Sequence, residues 1–158
     1  MQSSESGQPK EFLKQFGLQR SGTNILKALI EINFTRCHVL TQFLGNKHTP
    51  KGWGEMTDLL IEEDETDYGI SKEERQKISD LVESRSLRII INIKEPIPWL
   101  ESFHRYQSEK LIGRGKNPPE FDESWVRDKL IMWEEKVVSW CEFAKSNPEN
   151  CLLVRLLQ

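Results

Sequence analysis

The chain has 158 residues, of which 37% are hydrophobic and 30% are charged, and its formal net charge is −3. This length is sufficient for one domain with a substantial core, and the composition excludes a disordered chain. No apolar run approaches the roughly 18 residues that a membrane span needs, and the negative net charge argues against a general nucleic-acid binder.

The N-terminus and the scattered cysteines predict a cytoplasmic protein. Residues 1–10, MQSSESGQPK, lack the apolar segment of a secretory signal, so we interpret them as a polar tail before a single domain at 11–158. The cysteines are odd in number and widely spaced, which predicts reduced thiols, most of them buried. The histidines are equally scattered, so we expect no metal site. The cysteines are Cys37, Cys141 and Cys151, and the histidines are His38, His48 and His104.

Acidic residues are concentrated in one segment of the chain. Residues 55–85 contain 11 acidic and 4 basic residues, whereas the rest of the chain contains 14 acidic and 18 basic residues. The segments outside 55–85 are therefore net positive, and they can present a positive site to a compact anion.

The first half of the chain alternates apolar segments with turn residues. Residues 11–19 begin as a strand, and a helix is predicted to start after Gly22. A second strand is expected at 35–43, and the glycines and proline of 44–54 predict a loop. The apolar face predicted for the first helix consists of Ile25, Leu29 and Ile32.

The middle of the chain contains the clearest helix start and the clearest buried strand. The helix predicted at 70–85 begins with a capping box formed by Ser71 and Glu74. The isoleucine-rich run at 87–94 is typical of a strand that is buried on both faces of a parallel sheet. The apolar face predicted for the helix consists of Ile78, Leu81 and Val82.

The C-terminal part predicts two helices and a final strand. A helix that opens with prolines is expected at 96–112, a loop at 113–121, a long helix at 122–146, and a buried strand at 150–158. Strands that alternate with helices predict an open α/β sheet, in which ligands bind at the C-terminal ends of the strands. The apolar faces of the two helices are Trp99, Phe103, Tyr106, Val126, Leu130, Trp133, Val137, Trp140 and Ala144.

The turn after the first strand has the layout of a phosphate-binding loop. Unpaired backbone amides at the N-terminus of the following helix favour anions. Arg20 adds a fork of donors that suits phosphate or sulfate oxygens, and Gly22 allows close approach of the backbone. Thr23 stands where a Walker loop has lysine, which disfavours Mg²⁺–nucleotide chemistry. The alternative is a loop that only connects strand and helix. Further side-chain donors are Ser21, Thr23 and Asn24.

Two further turns at the same predicted edge carry candidate site residues. Lys47 and His48 lie in the loop after the second strand, and His48 is the histidine best placed to act as a general base; the alternative is a solvated loop histidine. Lys94 ends the isoleucine strand and Ser102 lies one turn into the next helix, so a second phosphate fits between them. The alternative there is a capped strand end and an exposed serine.

Three motifs resemble those of the sulfotransferase family that uses 3′-phosphoadenosine 5′-phosphosulfate (PAPS). LQRSGTN at 18–24 is similar to the family's 5′-phosphosulfate loop, and IKEPIPWLESFHRY at 93–106 to its 3′-phosphate motif. NKHTP at 46–50 is similar to the segment that carries the catalytic histidine. The resemblance covers about residues 12–155 and is nearest to bacterial-type members.

The resemblance implies a P-loop NTPase-like three-layer sandwich whose C-terminal part is missing, and transfer of a sulfuryl group from PAPS to an acceptor hydroxyl, a carbohydrate among the candidates, without a metal. It implies that Arg20 holds the 5′-phosphate and the sulfuryl group. It implies that Lys94 and Ser102 bind the 3′-phosphate, that His48 deprotonates the acceptor, and that Lys47 neutralises the bridging oxygen. The residues implied to cradle the 5′-phosphate are Ser21, Gly22, Thr23 and Asn24.

Two other functions stay open on the sequence alone. The first is a catalytically incompetent remnant that binds nucleotide weakly or acts as an interaction module, which the expected absence of the C-terminal part favours. The second is a small-molecule kinase, which Thr23 at the Walker lysine position disfavours.

Overall fold

The structure is a computed structural model that describes residues 10–62 and 69–156. Nearly all of the predicted polar tail, 1–10, lies outside the described residues. Within the described ranges, no helix combines the length and the apolar character needed to cross a bilayer. The elements are β1 (Glu11–Gly17), α1 (Thr23–Asn33), β2 (Cys37–Leu40), α2 (Trp53–Glu62), α3 (Lys72–Glu83), β3 (Arg88–Lys94), α4 (Pro96–Ile112), α5 (Glu123–Ser146) and β4 (Cys151–Leu156).

The four strands form one parallel sheet in the order β2-β1-β3-β4. The prediction of an α/β fold with a mostly parallel sheet is therefore confirmed. In the register of β1 and β3, Gly17 pairs with Asn92, so the C-terminal ends of the two central strands lie side by side. Because the strands are parallel, the turns that follow β1, β2 and β3 all lie at this edge.

The main core lies on one face of the sheet. Phe12 and Phe16 of β1 and Ile89 and Ile91 of β3 are buried there against α2, α3, α4 and α5. Full burial of each such side chain contributes roughly 1.5–3 kcal/mol to folding. Gln15 points to the opposite face, where its amide nitrogen donates to the Thr23 carbonyl of α1 at 2.9 Å. This arrangement is compatible with a three-layer sandwich. The helical core residues include Met56, Ile78, Trp99, Val137 and Trp140.

Three helices begin where local signals in the sequence place them. Ser71 accepts a hydrogen bond from the Glu74 amide and completes the predicted capping box of α3. Pro96 stands at the start of α4, where a missing N–H is tolerated. Asp122 caps α5 by accepting a hydrogen bond from the Trp125 amide at 2.8 Å. The predictions for α3, α4 and α5 are confirmed to within two residues at most.

Helix α2 was not predicted from the sequence, so the loop expected at 44–54 is wrong at its C-terminal end. Its first turn is closed by the Gly52 carbonyl, which accepts from the Met56 amide at 3.1 Å, and by Glu55, whose carboxylate accepts from the Gly52 amide at 2.9 Å. Met56 is fully buried, and Leu60 is nearly so. Burial of this apolar face overrides the low helix propensity of Gly54.

The prediction of the buried face of α1 is also wrong. Ile25, Leu29 and Ile32 are 67%, 53% and 74% exposed, whereas Leu26 and Ile30 are partly buried on the side of the sheet. The helix carries two apolar stripes offset by one residue, and periodicity alone could not select between them.

Strand β4 and the cysteines differ from prediction in their burial. The strand lies at the edge of the sheet, and Leu152 and Leu153 are 59% and 37% exposed, so it is less buried than expected. All three cysteines are free thiols, as predicted, but each is only partly buried.

Gly17 provides a test of how tightly β1, β3 and α1 meet beneath the first turn. A Cβ atom at this position would lie 2.8 Å from the Asn92 carbonyl oxygen and 2.9 Å from Cγ2 of Thr23. We expect Gly17→Ala to lower the free energy of unfolding by about 1–3 kcal/mol in chemical denaturation, because neither neighbour can move freely.

Gly54 supplies the matched control. A Cβ atom there has no neighbour within 4 Å, and the residue lies in α2. Gly54→Ala is expected to leave stability unchanged or raise it by about 0.5–1 kcal/mol. Equal effects of the two substitutions would contradict the close packing at Gly17.

Candidate functional site

A cavity of about 670 Å³ lies where the C-terminal ends of the strands meet. Gln19, Ile25 and Tyr106 line it together with every residue that the sequence analysis assigned to a site. No Asp or Glu is among the lining residues. The structure therefore brings three separate turns of the chain into one positively charged cavity. The predicted residues that line it are Arg20, Ser21, Gly22, Thr23, Asn24, Lys47, His48, Lys94 and Ser102.

The first turn is held in shape by hydrogen bonds to its own carbonyls. The buried Ser21 donates to the Leu18 carbonyl from its amide at 3.1 Å and from its hydroxyl at 2.6 Å. The indole of Trp99, in α4, donates to the Gln19 carbonyl at 2.8 Å. Gly22 caps α1 with φ of 81°, a left-handed conformation that favours glycine. Ser21 thus shapes the turn, and its hydroxyl hydrogen is already used.

Four successive backbone amides at the start of α1 have no acceptor among the described residues. These amides belong to residues 22–25, and the first helical bond runs from the Leu26 amide to the Gly22 carbonyl at 3.0 Å. Unpaired amides at a helix N-terminus carry a positive partial charge, which adds about 0.3–1 kcal/mol to the binding of an anion. This part of the cavity suits a phosphate or sulfate group.

Arg20 lies in the same turn and makes no ion pair with a described carboxylate. Its guanidinium lies over the ring of Tyr106, 5.5 Å from the ring centre. Its backbone has φ of 67°, a left-handed conformation that is uncommon for a residue other than glycine. Backbone strain of this kind is found mainly at ligand sites, where it costs of the order of 1–3 kcal/mol.

Lys94 is a buried cation without a carboxylate partner among the described residues. Its side chain is 6% exposed at the end of β3. Burial lowers the pKa of Lys94, the nearby charges of Arg20 and Arg105 lower it further, and the charge of Glu101 opposes them in part. The neighbouring Glu95 does not neutralise it, because the carboxylate of Glu95 pairs with Arg155 at 2.7 Å. A buried ammonium group without a counter-charge is costly, and a bound anion would compensate for that cost.

Lys47 reaches the first turn from the loop after β2. Its ammonium group donates to the side-chain carbonyl of Asn24 at 2.5 Å. Its backbone is fixed at both ends, since its amide donates to the Thr41 carbonyl at 2.9 Å and its carbonyl accepts from the Gly17 amide at 2.8 Å. Burial lowers the pKa of Lys47, with a further contribution from Lys27. The loop therefore presents a third fixed cation to the cavity.

The imidazole of His48 is oriented by the end of β1. Its Nδ1 lies 2.6 Å from the Gly17 carbonyl oxygen. A carbonyl oxygen only accepts, so Nδ1 carries the hydrogen and the neutral ring has its lone pair on Nε2, which has no described partner. Burial lowers the pKa of His48 below its usual 6.5; the hydrogen bond to Gly17 opposes this shift, and the charges of Lys47 and Lys136 add to it. At neutral pH the ring is uncharged and can accept a proton.

Two residues that the sequence analysis did not assign to a site contact its groups, and they are Tyr106 and Lys136. Tyr106 lines the cavity beneath Arg20, and Lys136 of α5 donates to the His48 carbonyl at 2.8 Å. Trp53 does not line the cavity: its indole donates to the side-chain carbonyl of Asn147 at 2.7 Å and packs against Phe143. The spacing of Tyr106, four residues after Ser102 on one helix, was a usable signal for placing it at the same edge.

Neither comparison with known proteins nor a metal-ligand group among the described residues adds to what the residues of the cavity show. Comparisons with protein-family models, with curated proteins and with solved structures found no match for the chain. In residues 10–62 and 69–156, no group of three or more His, Cys, Asp and Glu side chains is arranged to hold a metal ion. The chemistry of the cavity is therefore inferred from its own residues, whose donors and charges fit a ligand that carries anionic groups.

The buried charge of Lys94 makes a testable prediction about stability. We expect Lys94→Met to raise the free energy of unfolding by about 1 kcal/mol or more, because it removes a buried charge that no described carboxylate pairs with directly. The pKa of Lys94 is lowered on folding, so the unfolded chain holds the proton more tightly. The cost of the charge is therefore full below the lowered pKa of the folded state and is relieved as the pH rises through it toward 10.5.

The control for this prediction is Lys145→Met, which makes the same charge change at an exposed position near the end of α5. It is expected to change stability by less than about 0.5 kcal/mol. Chemical denaturation at pH 7 measures both. A loss of stability in Lys94→Met would show that its charge is compensated within the protein.

Proposed function

We propose that this chain is a P-loop NTPase-like domain that binds PAPS and transfers its sulfuryl group to an acceptor hydroxyl, with carbohydrates among the candidate acceptors. The observation that carries the proposal is a cavity with no Asp or Glu among its lining residues, which brings together a buried lysine, an arginine without a described ion pair and the unpaired amides of a helix N-terminus. The motif resemblance supports the choice of a nucleotide with phosphates at two positions.

In this proposal the two ends of the cavity bind different parts of the nucleotide. The amides of 22–25 and the guanidinium of Arg20 bind the 5′-phosphosulfate. Lys94 and Ser102 bind the 3′-phosphate, and burial strengthens the attraction of Lys94 for it. Tyr106 supports Arg20 from below through the cation–π contact at 5.5 Å.

The proposed reaction is an in-line transfer in which His48 acts as general base. Its Nε2 accepts the proton of the acceptor hydroxyl as the acceptor oxygen forms a bond to sulfur. The bond between sulfur and the bridging phosphate oxygen breaks, and adenosine 3′,5′-bisphosphate leaves. Arg20 and Lys47 stabilise the negative charge that develops on the bridging oxygen, and fixed donors of this kind supply much of the catalysis.

Calorimetry with adenosine 3′,5′-bisphosphate tests the binding part of the proposal. We expect a micromolar dissociation constant in the absence of Mg²⁺, and Arg20→Ala should weaken binding at least about tenfold, or ~1.4 kcal/mol. Arg20→Lys should recover part of the loss, because lysine keeps the charge but not the bidentate geometry.

Monophosphates separate the two ends of the site. Arg20→Ala should weaken the binding of adenosine 3′-monophosphate much less than Lys94→Met does. Adenosine 5′-monophosphate should show the reverse pattern. Absence of binding by the unaltered chain would refute the proposal, and tighter binding of Mg²⁺–ATP than of the bisphosphate would indicate a kinase instead.

Substitution of His48 tests the catalytic part. We expect His48→Ala to lower kcat by about a hundredfold or more, while the affinity for adenosine 3′,5′-bisphosphate is kept. In the unaltered chain, kcat should rise with pH to a plateau and reach half its maximum below pH 6.5, since the pKa of His48 is lowered. The assay is release of the bisphosphate from PAPS with a panel of mono- and oligosaccharides, and with water, as acceptors.

The second candidate is a catalytically incompetent domain that binds nucleotide weakly or acts as an interaction module. The observation that favours it is the exposed apolar surface of Ile25, Leu29 and Ile32 on α1, which is unusual for the outer face of a helix in an α/β domain. This candidate would be favoured over the enzyme if the chain binds the bisphosphate but releases none from PAPS with any acceptor in the panel.

A further inference from the structure

The loop that carries Lys47 and His48 is tied to the sheet on one side and to a helix on the other. On the sheet side, the Gly17 amide donates to the Lys47 carbonyl at 2.8 Å. The Gly17 carbonyl accepts from Nδ1 of His48 at 2.6 Å. On the helix side, the ammonium group of Lys136 donates to the His48 carbonyl at 2.8 Å. The ring of His48 is thus hydrogen-bonded to β1, and its main chain is hydrogen-bonded to α5.

Lys136 makes this contact as a partly buried cation. Burial lowers the pKa of its ammonium group, and no described carboxylate pairs with it. A lysine whose methylene groups only cover apolar surface would keep its ammonium group in water, where hydration is strongest. Partial burial of the Lys136 ammonium group therefore has a desolvation cost, and one hydrogen bond to a neutral carbonyl offsets only part of that cost.

We propose that Lys136 is a positioning residue for His48, which holds the main chain of the histidine against α5 and places a fixed positive charge beside the imidazole. This inference rests on the proposed function, in which His48 is the general base. It deepens that proposal by assigning the anchoring of the main chain of the base, and part of the positive field that disfavours its charged form, to a residue 88 positions away in the chain.

The fixed charge acts on the base in a defined direction. Lys47 on the same loop and Lys136 on α5 both disfavour the imidazolium form, and the two other cations that line the cavity, Arg20 and Lys94, have the same sign. A neutral ring is the form that accepts a proton from a hydroxyl. After transfer, the same cations attract the anionic leaving group, so the arrangement serves both states.

The test is a direct titration of His48 by NMR in the full chain, which requires no nucleotide. The chain has only three histidines, and the His48 Hε1 signal is assigned by its loss in His48→Ala. We expect Lys136→Met to raise the pKa of His48 by about half a unit, because one like charge is removed from a partly screened site. Lys136→Arg should leave the pKa near its original value.

Two controls make the readout specific. Lys145→Met removes the same charge from the same helix about 13 Å along its axis, and it should not move the His48 titration. His38 and His104 act as internal references, since neither is bonded to Lys136. A His48 pKa that stays unchanged in Lys136→Met, or that moves as much in Lys145→Met, would overturn the inference.

The outcomes separate this inference from the proposed function. A shifted His48 pKa without binding of adenosine 3′,5′-bisphosphate would leave Lys136 as the positioning residue of a histidine with some other role, and the sulfotransferase proposal alone would fail. Binding of the bisphosphate with no shift in Lys136→Met would remove Lys136 from the site and leave the proposed function intact.

Discussion

A positive charge that is buried without a carboxylate, at the C-terminal end of a central strand, is the constraint on which the rest of the site depends. Lys94 is carried into the interior because β3 lies between β1 and β4. Removing an ammonium group from water costs several kcal/mol, and partners must offset that cost. No described carboxylate forms an ion pair with Lys94: Glu101 acts on it only from a distance, and Glu95 is occupied by Arg155. An anionic ligand that binds here also stabilises the fold.

The site is assembled around the last residue of β1. Gly17 fits against Asn92 and Thr23 with no space for a side chain, which sets the distance between β3 and α1. Its amide and carbonyl also fix Lys47 and His48. One residue thus couples the anion-binding turn to the candidate base. A displacement at this point would move both groups, so the chemistry depends on tight packing beneath the cavity as well as on the charges within it.

The two faces of the sheet are covered to different extents by the described residues. Helices α2, α3, α4 and α5 bury one face, whereas α1 packs against β1 and β2 on the other. Leu152 of β4 pairs in register with Ile90 and remains exposed, as does the outer apolar stripe of α1. Parallel sheets are normally covered on both faces, so this surface is the least typical feature of the fold.

Local physics in the sequence determined the elements that carry the site. The isoleucine run of β3, the capping box of α3 and the proline start of α4 depend on neighbours within a few residues, and each prediction was confirmed. The convergence of three turns on one cavity was also predictable, because parallel strands end at the same edge. The sequence alone therefore placed Arg20 and Lys94 at the edge of the sheet where the cavity lies.

Tertiary structure decided what depends on contacts between distant segments. The apolar residues of α1 lie on two adjacent faces, and packing against the sheet buried Leu26 and Ile30 in part. The start of α2 was not predicted, because the glycines at 52 and 54 locally favour a loop. In the folded chain, burial of Met56 outweighs that local propensity. The tautomer of His48 and its contact with Lys136 were beyond prediction, since both arise from hydrogen bonds that span 31 and 88 residues. Such bonds are set by how whole elements pack, and no local pattern encodes them.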